Sequence, residues 1–386
     1  MSNHFMFLGD PGPDARAMLE VLRNIGLSAK RAEISDDLMS KLSESPPGAL
    51  LVDSNVETLS ETIASVRQDR VLSGIPILLR VTHPDPTLLA KAFKWGVDDY
   101  YVDGAVEQFG RLVSAIEKQE SWKTVRAPAG KVILAHGERL ERAQFGRILR
   151  RNGFDTYFAG NTDELETACV SQDARAIIVS LDLPGIPVLD IVAKLAGEVA
   201  NLPPFVFVVR AELLEKTRDN IPAGICGKLF DADSDVEGIT FVLNELLAPP
   251  PTGVRRSPRV LYGTPVAYVH EGGDMSMNGF VYNINYGGIY IRTLASLPLQ
   301  TKISVTFRPP FGRGQVFADA QVVWRKQLGD TAGAASPPGM GIQFLDLWQA
   351  DLAAYETGYN LLLEKNESST SLPAPTPIER NVVKTE

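Results

Sequence analysis

The feature that most constrains this chain is an internal repeat. FMFLG at 5–9 parallels VILAH at 132–136, LRNIG ending at Gly26 parallels LRRNG ending at Gly153, and ALLVDS around Asp53 parallels AIIVSL around Ser180, at an offset of 127. The same offset carries Ile75 and Pro76 onto Leu202 and Pro203, which open the apolar runs IPILLRV and LPPFVFVV. Agreement over a whole domain length means that one folding unit is used twice.

Within the first copy, short continuous apolar runs alternate with stretches of helical period: HFMFLG, a helix over 14–25, ALLVD, a helix over 59–71, IPILLRV, a helix over 86–95, DDYYV and a helix over 106–119. Strands that are continuously apolar and separated by helices belong to a parallel sheet covered on both faces. The expected fold is a doubly wound, five-stranded α/β domain with its site at the carboxyl ends of the strands.

After 255 the pattern changes. TPVAYV, GFVYNI, GIYIRT, KISVTF, VFADAQVVW and GIQFLDL alternate in polarity between Gly, Pro and Asn clusters, the pattern of antiparallel strands closing into a small β-barrel. Beyond it, Leu352, Tyr355, Tyr359 and Leu362 recur at helical spacing over 348–364, so a helix is expected to pack on the barrel. Pro- and Gly-rich breaks at 127–130 and 249–253 read as linkers between independently folded units. The expected organisation is α/β domains over 1–122 and 130–248, a barrel over 252–350, a helix over 351–365 and a disordered tail over 366–386, where Ser, Thr and Pro replace large apolar residues.

Composition sharpens this division. The chain carries a net charge of -9, yet 255–350 holds nine basic and five acidic side chains, a net +4 that leaves -13 elsewhere. A basic β module in an acidic chain should attract an anion, while bulk nucleic-acid coating is disfavoured. Two cysteines, Cys169 and Cys226, cannot make a disulfide framework and read as small core residues in a reducing, cytoplasmic setting. No apolar stretch approaches the roughly 20 residues that span a bilayer, and MSNHFMFLGD does not resemble a signal peptide, so membrane insertion is not expected. The four histidines are scattered, and no nucleophile–base set, metal cluster, cyclase or phosphodiesterase signature can be assembled, so the expectation is a protein that is not an enzyme.

The layout of the first copy and its segment KAFKWGVDDYYV resemble the receiver domain of bacterial response regulators. The resemblance covers about 4–120 and 131–247. It implies a phosphoacceptor carboxylate after the third strand, a magnesium ion held by acids after the first, and a lysine after the fifth. Transfer of a phosphoryl group needs such cations to neutralise the oxygens. Asp53 matches the acceptor and Asp10 a metal ligand. Gly9 or Pro11 stands at the partner acid, Asp103-Gly104 replaces the Lys-Pro, and the switch hydroxyl falls at Thr82 or Val81. Asp103 is expected to raise the negative potential around Asp53 and oppose transfer. The second copy departs further, with Ser180 at the acceptor, His136-Gly137-Glu138 at the acidic cluster and Lys228 near the fifth strand. Magnesium enters only if Asp53 is phosphorylated. Both copies keep the apolar framework, which suits partner docking, and receiver-like pairs self-associate in that family, so a homodimer is one expectation.

The β module carries a second resemblance. Arg255-xxx-Arg259 forms an arm before the first strand, 283–288 reads Asn-Ile-Asn-Tyr-Gly-Gly at a turn, and Gly341-Ile342-Gln343-Phe344 closes the barrel. In this order they resemble the RxxxR, (D/N)xSxxG and closing-strand motifs of the PilZ domain, the bacterial receptor module for cyclic di-GMP. The resemblance implies that Arg255, Arg256 and Arg259 hold phosphate and guanine while Asn283, Asn285 and Gly288 contact base and sugar-phosphate. Asn285 stands where the motif has Ser and is bulkier. Tyr282, Tyr286, Tyr290 and Trp324 read as core or strand-face packing. The resulting expectation is a signalling effector that binds cyclic di-GMP and passes the signal to protein partners, in motility or surface behaviour. A ligand-independent adaptor and a phospho-switch at Asp53 are the alternatives.

Overall fold

A computed structural model describes residues 4–10, 12–35, 37–69, 71–72, 74–118, 130–199, 201–233, 238–247, 257–273, 275–328 and 336–370. In the first copy β1 (His4–Leu8), β2 (Ser28–Ala32), β3 (Ala49–Asp53), β4 (Ile77–Val81) and β5 (Asp99–Val102) alternate with α1 (Ala15–Asn24), α2 (Leu38–Glu44), α3 (Leu59–Gln68), α4 (Pro86–Trp95) and α5 (Val106–Glu117). The sheet is parallel in the order β2-β1-β3-β4-β5. That is the doubly wound order whose crevice lies at the carboxyl ends of β1 and β3. β3 and β4 are buried along their whole length, as the continuous apolar runs require. β2, SAKRA, is an edge strand of exposed and half-buried side chains, so no apolar run announces it. The clearest local signals surround α4. Asp85 accepts the Thr87 N–H at 2.9 Å, Pro86 opens the first turn, and Gly96 closes the helix at φ +92°.

The second copy repeats the plan: β6 (Gly130–Ala135), β7 (Phe154–Ala159), β8 (Ala176–Ser180), β9 (Phe205–Val209) and β10 (Gly227–Asp231), with α6 (Arg139–Arg151), α7 (Thr162–Ser171), α8 (Val188–Glu198), α9 (Leu214–Asn220) and α10 (Gly238–Leu247). Its order, β10-β9-β8-β6-β7, is the same order read from the other edge. Asp53 and Ser180 are the last residues of β3 and β8. Cys169 is buried, but Cys226 is exposed in the loop before β10 and is not a core residue.

The six alternating runs become β11 (Val260–His270), β12 (Met277–Asn285), β13 (Gly288–Arg292), β14 (Lys302–Phe307), β15 (Val316–Lys326) and β16 (Gly339–Leu347), closed as an antiparallel barrel β11-β12-β13-β16-β15-β14. The last helix, α11 (Gln349–Thr370), drives Tyr355 and Tyr359 into the barrel core beside Val281, Ile291, Phe307 and Ile342. It runs past the expected end at 364, so 366–370 carry helical backbone where a disordered tail was expected. The rest of that tail, 371–386, lies outside the described residues.

The linker reading predicts three separate bodies, but the chain forms two compact units. One joins Met1–Ala127 to Pro251–Ala332 and Ser336–Glu364; the other is built on Pro128–Pro250. The barrel therefore shares a body with the first α/β domain. At their seam the Phe93 ring of α4 packs on Phe280 (centroids 5.6 Å) and Tyr282 (6.4 Å), and Tyr100 of β5 packs on Phe280 (5.1 Å). The strand register shifts between Leu261 and Thr264 of β11. Gly263 lies at this irregularity, where any Cβ would come within 2.5 Å of the Phe93 ring.

Buried polar groups fix the same seam. Asp98 accepts from Arg67 at 2.6 Å, from Arg292 of the barrel at 2.9 Å and from the Ile77 N–H at 2.9 Å. Asp99, fully buried, accepts from Thr293 Oγ1 at 2.7 Å, the Leu294 N–H at 2.9 Å and its neighbour Tyr100 N–H at 2.9 Å. Leu294 enters the apolar core of the first domain beside Phe109, Leu112 and Val113. Burial pushes the Asp99 carboxyl up to about 7, against the opposing pull of the hydrogen bonds from Thr293, Leu294 and Tyr100 and of the Arg292 charge.

Candidate functional site

The barrel brings the end of the arm, 257–259, to the turn. β11 and β12 pair Val260 with Ile284 and Leu261 with Asn283, which sets Arg259, one residue earlier, level with Asn285. Ser257 Oγ accepts the Tyr286 N–H at 3.0 Å, and the Pro258 carbonyl accepts the Tyr359 hydroxyl at 2.9 Å, so the end of the arm is tied to the turn and to α11. Arg259 is exposed. Arg255 and Arg256 lie outside the described residues.

Each turn residue has a local reason for its identity. Asn285 Oδ1 accepts the Gly287 N–H at 3.1 Å, an Asx turn that the motif's Ser would make more weakly. Asn283 is nearly buried, paired between Leu261 and Tyr290. A Cβ on Gly288 would stand 2.0 Å from the Ile342 carbonyl, so this glycine is demanded by the close approach of β13 to β16. Gly287 faces open space. Tyr355 of α11 donates to the Asn285 carbonyl at 2.6 Å, and the Tyr286 hydroxyl donates to Glu356. Tyr282 and Tyr290 are buried, as packing residues should be. Tyr286 and Trp324 are not, at 49% and 42% exposure. The Trp324 ring lies 5.5 Å from Tyr290, whose hydroxyl also feels the Arg259 charge. An exposed indole beside Tyr290, the ladder partner of Asn283, is a second feature of this corner, and the alternating strand pattern around Trp324 hid it.

The acceptor position of the first domain holds a buried ion cluster. Arg80, next to last in the sequence run IPILLRV, donates Nε to Asp103 Oδ1 at 2.8 Å and Nη2 to Asp103 Oδ2 at 2.7 Å. Its Nη1 lies 3.2 Å from Asp53 Oδ2 and donates to the Asp10 carbonyl at 3.1 Å. Asp53 also accepts the Asn55 N–H at 3.0 Å and side-chain N–H at 3.2 Å, and the Asp10 N–H at 3.3 Å. Burial works against the Arg80 charge, yet the hydrogen bonds and charges of Asp103 and Asp53 outweigh it and hold the guanidinium firmly protonated. The expectation that Asp103 leaves Asp53 in excess negative potential is therefore corrected, because Arg80 stands between them. Sequence reasoning missed it because the three residues are 23 and 27 positions apart.

The residues present do not fit a divalent ion. Asp10 is exposed and its carboxylate caps its own turn at the Gly12 N–H (2.9 Å), while the guanidinium lies over the Asp10 carbonyl. Val81 is buried at the end of β4 and Thr82 is exposed beyond it.

In the second copy Ser180 Oγ accepts the Asp182 N–H at 3.3 Å, a turn role. His136 is buried against Glu141 at 3.0 Å and held below its ordinary pKa, chiefly by desolvation. Glu138 is exposed. Lys228 pairs with Val206, which pairs with Ile178 in the middle of β8, so Lys228 lies two residues short of Ser180 along the strands.

The architecture is that of two doubly wound α/β domains followed in the chain by a closed antiparallel β-barrel. The family model of the PilZ domain matches residues 254–357, so this segment is a PilZ domain. A comparison with curated proteins finds no match. Among solved structures the chain is similar to a two-component response regulator/GGDEF domain protein at 14% identity, covering 63% of this chain and 97% of that one, with a TM-score of 0.31. It is also similar to the Bacillus subtilis inhibitor of motility (16%, 30% and 56%, 0.24) and to the PilZ domain of CeSA from a cellulose-synthesizing bacterium (17%, 27% and 98%, 0.21).

Proposed function

We propose that the chain is a signalling effector, without enzymatic activity of its own, whose PilZ domain binds cyclic di-GMP where the arm meets the turn, and whose α/β domains pass the signal to protein partners in motility or surface behaviour. The observation that carries this reading is the pinning of 257–258 to the turn, which brings Arg259 level with Asn285 within a PilZ barrel. Arg255, Arg256 and Arg259 would fork onto phosphate or stack on guanine, and Asn283, Asn285 and Gly288 would meet base and sugar-phosphate. The exposed Trp324 face offers a further stacking surface. A cytoplasmic location suits such a ligand. Of the described helices, none is long and apolar enough to cross a membrane.

One observation favours a ligand-independent adaptor. The turn is already satisfied by the chain's own groups, Asn285 by Gly287 and Tyr286 by Glu356. Calorimetric titration of cyclic di-GMP into the full chain decides between them, because the barrel shares its body with the first domain. Saturable binding that is lost in Arg255→Ala/Arg259→Ala supports the receptor, and no heat at high micromolar ligand with folded protein leaves the adaptor.

A further inference from the structure

We propose that the Asp53–Arg80–Asp103 cluster is a built-in lock in which an arginine of the same chain takes the place of the metal and lysine cations, and that it holds β5 in the position on which the barrel is seated. Three observations carry this independently of the ligand reading.

The first is occupancy. The Arg80 side chain is 7% exposed and spends its donors on Asp103, Asp53 and the Asp10 carbonyl. Gly12, at φ +83°, closes over it, and a Cβ there would stand 2.1 Å from Nη2. A phosphoryl group on Asp53 would have to displace this guanidinium from both carboxylates. The positive charge that phosphoryl transfer draws from metal and lysine is already consumed.

The second is placement. Arg80 pairs with Asp53 on one side and with Tyr101 of β5 on the other. Asp103, gripped at both oxygens, follows β5 directly, and Asp98 and Asp99, which hold Arg292, Thr293 and Leu294 of the barrel, lie at its start. One short strand is thus clamped to the ion cluster at one end and to the barrel at the other.

The third is the internal comparison. The ladder pair Asp53–Arg80 becomes Ser180–Val208, and the residue after the fifth strand, Asp103, becomes Ala232. All three charges are absent together from the second copy, as expected if they work as a unit, since removing one member alone would strand a buried charge.

The test is amide hydrogen exchange on the full chain. Arg80→Met should speed exchange of the Leu294 amide, bonded to Asp99, at least tenfold, with Leu51 in the β3 core and Val281 in the barrel core unchanged. Asp103→Asn, which keeps the Arg80–Asp53 contact, should act in the same direction but less, and serves if Arg80→Met does not fold. Equal acceleration at Leu294, Leu51 and Val281, or none at Leu294, overturns the proposal. Incubation of the full chain with magnesium and an acyl phosphate should leave Asp53 unmodified, and a phosphorylated Asp53 in the wild-type chain would equally overturn it.

Discussion

The two α/β copies share strand order and apolar framework but differ in where they bury charge. The first buries Asp53, Arg80, Asp98 and Asp99, and each is matched to a partner, either within the domain or on the barrel. In the second, register puts Ser180, Val208, Gly227 and Lys228 at the corresponding ladder positions, and Lys228 is only half-buried at its strand start. The helix that carries Phe93 into the barrel also shrinks, from ten residues in α4 to seven in α9. The fold tolerates either set, because the sheet is held by its continuous apolar strands. The charges answer a separate demand, which in the first copy is the seating of a PilZ barrel.

That comparison breaks most sharply at Asp98. Asp98→Ala removes the carboxylate that Arg67 and Arg292 share in the seam and should cost about 3–5 kcal/mol of unfolding free energy in chemical denaturation. Truncating Phe93 to Ala empties the pocket beside Gly263 and Phe280 and should cost about 3 kcal/mol, whereas Ile221→Ala, half-buried after α9, should cost less than half of that. Tyr355→Phe removes the hydroxyl bonded to the Asn285 carbonyl and should cost about 1 kcal/mol.

The smallest effect is the pH dependence of Asp99, faced by Thr293, Leu294, Tyr100, Arg292 and Tyr268. Its carboxyl is raised to about 7 in the folded chain from the ordinary 3.8, so the folded state binds the proton more tightly than the unfolded one. This group's contribution to stability is fully present below about pH 4 and is lost as pH rises to about 7. The denaturation midpoint of wild type relative to Asp99→Asn should fall across that window and level off above it.

Much of this was legible in the sequence, and physical reasons separate what was from what was not. Continuous and alternating apolar runs report burial directly, so the doubly wound domains, the six barrel strands and the aromatic face of α11 could be read. β2 could not, because an edge strand needs no apolar run. The seam was hidden because DDYYV and IPILLRV look like ordinary strand ends, and nothing local shows that Asp98 meets Arg292, 194 positions away. The arm and turn were readable as a motif. The exposed faces of Tyr286 and Trp324 were not, since an alternating strand pattern does not say which aromatics a neighbouring helix or strand will cover.

Hydrogen exchange of the full chain with and without saturating cyclic di-GMP tests the ligand site proposed at the barrel corner of the first unit. Amides of 257–261 and 283–288 should gain protection on ligand addition while β8 and β9 of the second copy do not change. Protection confined to the α/β domains, or no change anywhere at saturating ligand, would contradict it.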